Sequence, residues 1–201
     1  MFIVVEGLDG VGKSTFVKAL AKAIGADDLC SPADKFKNVR GTLEHAYEGN
    51  ALARQLFYAS TVVDISDEVR KLLVGENRVV VDRYWLSTQV YHDWKSEGKN
   101  FDLEDVRAHL LVPDWTIYLE LPLEVRERRL ALRGMNTTED KITLNKEADD
   151  KLSGLYEKYS SSPIVGRWLT VDASLDVDSI VDVVRQHIGL GPDGVSDRRF
   201  G

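Results

Sequence analysis

The chain has 201 residues, 43% of them hydrophobic and 29% charged, with a formal net charge of −7. That is enough apolar material for one compact domain with a core, and the acidic balance argues against a nucleic-acid partner, which usually meets a basic stripe. The single cysteine, Cys30, cannot close an internal disulfide and sits in no metal-ligand spacing. A lone thiol fits a reducing cytoplasm, the run Met1–Glu6 is too short for a signal peptide, and no stretch approaches the ~20 apolar residues of a membrane span.

Along the chain, strand and helix patterns alternate. Phe2–Val5 is a continuous β-branched and aromatic run, the pattern of a strand buried on both faces. From Ser14 to Ile24, apolar residues at Phe16, Val17, Leu20, Ala21 and Ile24 follow helical spacing, and Gly25 stops them. Residues 27–49 are ambiguous: Ser31-Pro32 marks a turn, and a fifth strand is expected near Asp28–Ser31. Ala51–Leu73 predicts a long helix ended by Gly75, Val79–Asp82 a second buried strand, and Trp85–Trp94 another helix. Asp102–Leu111 predicts a short helix before Pro113, and Trp115–Leu121 a strand. Pro122 opens a helix that runs to Arg133 and stops at Gly134. Residues 135–146 read as a polar loop, Ala148–Tyr159 as a helix, Trp168–Val171 as a strand and Val177–Ile188 as the last helix. The tail, Gly189–Gly201, is rich in Gly, Asp and Arg and is expected to be disordered. The alternation predicts an α/β fold with a parallel sheet covered by helices on both faces.

Gly7-Leu8-Asp9-Gly10-Val11-Gly12-Lys13-Ser14 matches G-x-x-x-x-G-K-[ST], and a strand precedes it while a helix follows. The glycines let consecutive N–H groups approach phosphates, and the helix start aims its positive end at the anion. Lys13 supplies a point charge to the terminal phosphates, and Ser14 offers a hydroxyl to Mg²⁺. Asp82-Arg83-Tyr84 closes the second buried strand, at the sheet end where ligands gather. There Asp82 can serve the metal shell and Arg83 can clamp a phosphate, or the two can form a plain strand-end ion pair. Arg126, Arg129 and Arg133 are spaced three and four apart on one helix face, next to Arg128, and read either as charge brought to a moving phosphoryl group or as a solvated face paired with Glu124 and Glu127.

With these residues in place, residues 1–188 resemble the thymidylate kinase family of nucleoside monophosphate kinases. The likeness is carried by Phe2–Thr15, by Leu56-Phe57-Tyr58-Ala59, by Asp82–Ser87 with Tyr91, by Arg129-x-x-x-Arg133-Gly134 and by Val171-Asp172-Ala173. It implies a single domain with the three-layer P-loop kinase fold and a five-stranded parallel sheet, a lid at about 134–147, and transfer of the γ-phosphoryl group from ATP with Mg²⁺. ATP would rest on Gly7, Asp9, Gly10, Val11, Gly12, Lys13, Ser14 and Thr15, with Arg129, Asp172 and Ala173 nearby. Lys13, Arg83, Asp9 and a lid arginine, Arg129 or Arg133, would form the catalytic set, and Ser14 with Asp82 the metal side. The acceptor, a small nucleotide or nucleoside, would meet Asp9, Arg54, Phe57, Arg83, Tyr84, Ser87, Tyr91 and His92. A homodimer is also implied.

The sequence departs from the family on the acceptor side. Where the family has Thr-Arg-Glu-Pro, this chain has Leu29-Cys30-Ser31-Pro32, and Arg40 or Arg54 is left to take over the lost arginine. Ser60 and Thr61 stand where the family has Asp-Arg, and His92 stands where it has glutamine. An altered acceptor follows as an expectation. The rival readings are a deoxynucleoside or other small-molecule kinase and a nucleotide-binding regulatory protein. No Asn-Lys-x-Asp guanine-reading stretch follows the later strands.

Overall fold

In the computed structural model, residues 1–96, 101, 103–134 and 142–190 are described. Five strands form one parallel sheet: β1 (Phe2–Gly7), β2 (Asp27–Cys30), β3 (Val79–Asp82), β4 (Trp115–Glu120) and β5 (Arg167–Asp172). Their spatial order is β2-β3-β1-β4-β5. Every residue of β1 and β3 is buried, as continuous apolar runs in a sheet covered on both sides require. The register pairs Val5 of β1 with Asp82 of β3 and with Ile117 of β4, so the carboxyl ends of the three central strands lie side by side.

The principal helices are α1 (Lys13–Ile24), α2 (Lys37–Ala46), α3 (Ala51–Leu72), α4 (Trp85–Lys95), α5 (Glu104–Ala108), α6 (Leu123–Arg133), α7 (Lys146–Tyr159) and α8 (Val177–His187). α1 packs against α8, while α4 packs against both α3 and α7. The apolar stripe of α1 enters the core as its spacing predicts, and the αL residue Gly25 ends the helix by donating its N–H to the Ala21 carbonyl. Asn50, Asn145 and Asp176 cap α3, α7 and α8 with their side chains.

Several boundaries differ from the sequence expectations. The ambiguous 27–49 stretch holds β2, a short 3₁₀ turn at Asp34–Phe36 and α2. α2 buries none of its residues, so it leaves no hydrophobic stripe to read. The expected fifth strand exists but sits at the sheet edge, which explains its charged sequence. The helix expected over Asp102–Leu111 is confined to Glu104–Ala108, and α7 starts two residues before Ala148. The expected disordered tail is contradicted at its first two residues. Gly189 turns at φ 75, Leu190 donates its N–H to the Arg185 carbonyl at 2.9 Å, and the Leu190 side chain is buried. This is a helix-closing motif whose hydrophobic residue returns to the core. Residues 191–201, and residues 135–141 of the expected lid, lie outside the described residues. Among the described residues, no helix is long and apolar enough to cross a membrane.

Candidate active site

The phosphate loop leaves β1 at Gly7, where φ is 145 and a Cβ would stand 2.7 Å from the Leu119 carbonyl oxygen on β4. Only glycine lets the loop run this close to the sheet. Gly12, at φ 101, is the N-cap of α1 and offers no side-chain cap, so the first-turn N–H groups of the helix remain available to an anion. Lys13 is buried, and its Nζ donates to the carbonyls of Gly7 and Leu8, each at 2.9 Å. Burial, reinforced by the nearby Arg83 cation, pulls its ammonium down to about 8, which leaves it mostly protonated at neutral pH.

Ser14 Oγ donates to Asp82 Oδ2 at 2.6 Å, joining the start of α1 to the end of β3. The other carboxylate oxygen, Oδ1, is buried and has no hydrogen-bond partner. A buried acceptor oxygen left open beside a hydroxyl suits a hard divalent cation or a water on it. Among the described residues no cluster of three or more His, Cys, Asp or Glu could hold a metal. Ser14 and Asp82 are the residues that could hold Mg²⁺ here, alongside phosphates of a bound substrate.

Arg83 follows Asp82 at φ 68, the left-handed region that a residue with a side chain rarely adopts. The strand turns sharply here and throws the guanidinium across to Asp9 in the phosphate loop. Arg83 Nη2 pairs with Asp9 Oδ1, and Nη1 donates to Ser87 Oγ at 3.0 Å. Tyr91 closes the group: its hydroxyl donates to Asp9 Oδ2 at 2.9 Å, and its ring lies under the guanidinium, 5.3 Å from Cζ. Burial pushes the Asp9 carboxyl up, but Arg83 and then Lys13 outweigh it and hold the group at about 2. Burial likewise works against the Arg83 charge, and Asp9 more than restores it.

Of the arginine row on α6, Arg126 turns inward. It is fully buried, donates to the carbonyls of Leu121 at 3.3 Å and Asp9 at 3.1 Å, and pairs with Asp149 of α7. Arg128 donates to the Glu124 carbonyl of its own helix and faces solvent. Arg129 reaches the other flank of the loop, donating at 3.0 Å both to the Val11 carbonyl and to the Ala173 carbonyl beyond β5. A cavity of about 340 Å³ opens there, walled by Val11, Thr15, Arg129, Leu132, Ala173 and Leu175 among others. Most of that lining is apolar, which suits a flat, largely apolar group. With both Nη atoms committed to carbonyls, Arg129 forms a wall of this cavity. The Arg133 side chain lies outside the described residues.

The structure does not gather all the expected residues. Asp172 stands outside that cavity wall, with its carboxylate accepting from the Ser174 backbone and hydroxyl, both at 2.8 Å. Tyr84 packs edge-on against Phe2 and donates to the Leu111 carbonyl at 3.1 Å, which makes it a core residue rather than part of an acceptor wall. Ser87 sits behind Arg83 instead of facing the cleft. Phe57 lies on α3 against Phe36, and Arg54 lies near His92 of α4, whose buried Nε2 has no partner. Burial, and then Arg54, draw the His92 imidazole below its ordinary value. Arg40 is engaged by Glu44 and Tyr58, at 3.1 Å each.

The sequence reading gave no role to Glu6, fully buried one position before the loop, and it read Arg126 as a phosphoryl-facing or solvated arginine where the structure makes it a buried clasp. For Glu6 a signal existed. A carboxylate ending a strand buried on both faces needs hydrogen-bond partners, and those partners had to lie in the site. For Arg126 none did, because face counting groups it correctly with Arg129 without telling inward from outward.

A phosphate loop, a buried lysine and an Asp-Arg pair across the central strands of a 2-3-1-4-5 sheet define a P-loop nucleotide phosphotransferase. The family model of thymidylate kinase matches residues 5–184, and the chain belongs to that family. It is 30% identical to the probable thymidylate kinase of Thermococcus onnurineus, covering 90% of this chain and 97% of that one. Against the probable thymidylate kinase of Pyrococcus horikoshii the identity is 29%, over 94% and 98% of the two chains. A solved structure of deoxyadenosine kinase from M. mycoides with bound dATP superposes at TM-score 0.68 and 20% identity, covering 94% of this chain and 99% of that one, which establishes the shared fold.

Proposed function

We propose that the chain transfers the γ-phosphoryl group of ATP to the phosphate of a nucleoside monophosphate, dTMP or a related nucleotide. The observation that carries this is the Asp9–Arg83–Tyr91 group. A hydroxyl acceptor must pass its proton to a base with a free oxygen. Both oxygens of Asp9 are engaged, one by Arg83 and the other by the Tyr91 hydroxyl. A phosphate acceptor arrives already ionised and needs only positive charge and alignment, which Arg83 and Lys13 supply.

In this reading Lys13 exchanges its contacts with the Gly7 and Leu8 carbonyls for the phosphates of ATP, and Arg83 orients the incoming phosphate. Asp9 keeps the guanidinium in place. Arg126 and Arg129 fix the loop from behind and from the base side. Mg²⁺ held at Ser14 and Asp82 would neutralise charge on the transferring phosphates.

The base end of the acceptor is where specificity would shift. The hydroxyls of Ser60 and Thr61 donate to the carbonyls of Phe57 and Tyr58 in their own helix, at 2.7 Å each, so neither donates to a base. Arg54 and His92 would serve that end. Turnover measured with ATP and Mg²⁺ over a panel of nucleoside monophosphates and unphosphorylated nucleosides tests the reading. The expected result is ADP formation with a monophosphate, and turnover of a bare nucleoside with none of any monophosphate overturns it.

A further inference from the structure

Glu6 touches neither cleft nor solvent, and the chemistry proposed above makes no use of it. Four donors nevertheless converge on its carboxylate. Oε1 accepts from the backbone N–H groups of Tyr84 at 3.0 Å and Ser87 at 3.2 Å. Oε2 accepts from the Ser87 hydroxyl and, at 3.3 Å, from the Tyr156 hydroxyl of α7. Tyr84 is the N-cap of α4, yet its own side chain caps nothing. The capping oxygen comes instead from β1, 81 residues away from Ser87 in the chain.

The same contacts set the direction of a proton chain. With its hydrogen committed to Glu6, the Ser87 hydroxyl presents lone pairs to Arg83 Nη1 at 3.0 Å. Arg83 meanwhile occupies the left-handed region, which is strained for a non-glycine residue and persists only where its surroundings over-determine it. The N–H of Tyr84, the next residue, is what Glu6 holds.

We propose that Glu6 is a positioning residue for Arg83, capping α4 from the neighbouring strand and, through the Ser87 hydroxyl, fixing the guanidinium against Asp9. The glutamine variant isolates this role. An amide in place of the carboxylate keeps the volume but sets N–H groups against the Ser87 hydroxyl, whose hydrogen must then turn away, toward Tyr156 Oη at 3.0 Å or toward Arg83.

The first measurement is the arginine side-chain ¹⁵N–¹H spectrum, with the Arg83 signals identified by their loss in Arg83→Lys. In the native chain the Arg83 Nη protons are expected as separate, slowly exchanging signals. Glu6→Gln merges or broadens them and leaves the Arg126 signals in place. Ser87→Ala, which spares the carboxylate, does the same and carries the test if Glu6→Gln does not fold. Unchanged Arg83 signals in the folded variants overturn the proposal.

The second measurement rests on the nucleotide-kinase reading. Glu6→Gln is expected to lower kcat about 100-fold through misplacement of the guanidinium, with KM for ATP within about threefold. In an Arg83→Ala background the same substitution should cost less than about threefold, because the two act as one unit. Equal losses in both backgrounds overturn the positioning role. If the spectrum behaves as expected but no acceptor turns over, the kinase reading fails while the placement of Arg83 by Glu6 stands.

Discussion

On the proposed donor side of the cleft, the groups that would face a phosphate belong to one short run, Gly7 to Thr15, and most of them are backbone. Their placement depends on φ values that glycine alone supplies freely, as at Gly7 and Gly12. On the proposed acceptor side, the groups are side chains drawn from β1, the phosphate loop, the end of β3, α4 and α7: Asp9, Arg83 and Tyr91 in front, with Glu6, Ser87 and Tyr156 behind. Two of these, Glu6 and Tyr156, lie 150 residues apart. A backbone-built site changes little when side chains change. A side-chain-built site can be retuned one residue at a time.

The comparison can be broken at its strongest point first. Lys13→Ala removes the one side-chain cation of the donor run, and about 3–4 kcal/mol of transition-state stabilisation should go with it, read as a 10²–10³-fold drop in kcat. Near-native turnover would mean that the backbone alone holds the donor. Next is the clasp between the two sides. Arg126→Ala leaves the Asp9 carbonyl and the Asp149 carboxylate without their buried cation and should cost about 3 kcal/mol of stability in urea unfolding. A loss well under 1 kcal/mol would place the pair with ordinary surface bridges.

The smallest effect is in the pH dependence. Burial raises and Arg83 lowers the Asp9 carboxyl, from an ordinary 3.8 to about 2. A depressed acid contributes stability above its unfolded value and loses it as the pH falls through its folded value. Roughly 2 kcal/mol should therefore disappear between about pH 4 and pH 2. Glu6, raised by burial, acts with the opposite sign, so the Asp9 share must be read as the difference between the native chain and Asp9→Asn. An unchanged acid limb in that variant would show that the Asp9–Arg83 contact contributes little.

What could be read from the sequence follows the same division. The phosphate loop, the buried strands and α1 announce themselves because their determinants are local: glycine spacing, apolar runs and a helical stripe. The edge strand and α2 were faint because neither buries enough apolar surface to leave a period. Arg83 and Tyr91 could be placed beside Asp9 once strand ends were known to gather. Tyr84 misled because it adjoins Arg83 in sequence while the turn at φ 68 sends its ring into the core. The inward turn of Arg126 and the meeting of Tyr156 with Glu6 are tertiary facts with no local trace.

The sheet is open, and each of its edges carries a row of backbone groups that another chain could extend. β2 is only four residues long and starts with Asp27 and Asp28, both exposed. β5 opens with exposed Arg167 and closes with exposed Asp172. A foreign strand laid along either edge would have to bring its own backbone against these charges and strip water from them. The poor strand sequence that hid β2 therefore has a use: it ends the sheet, so that a fold with a hydrophobic, fully parallel centre does not go on growing from molecule to molecule.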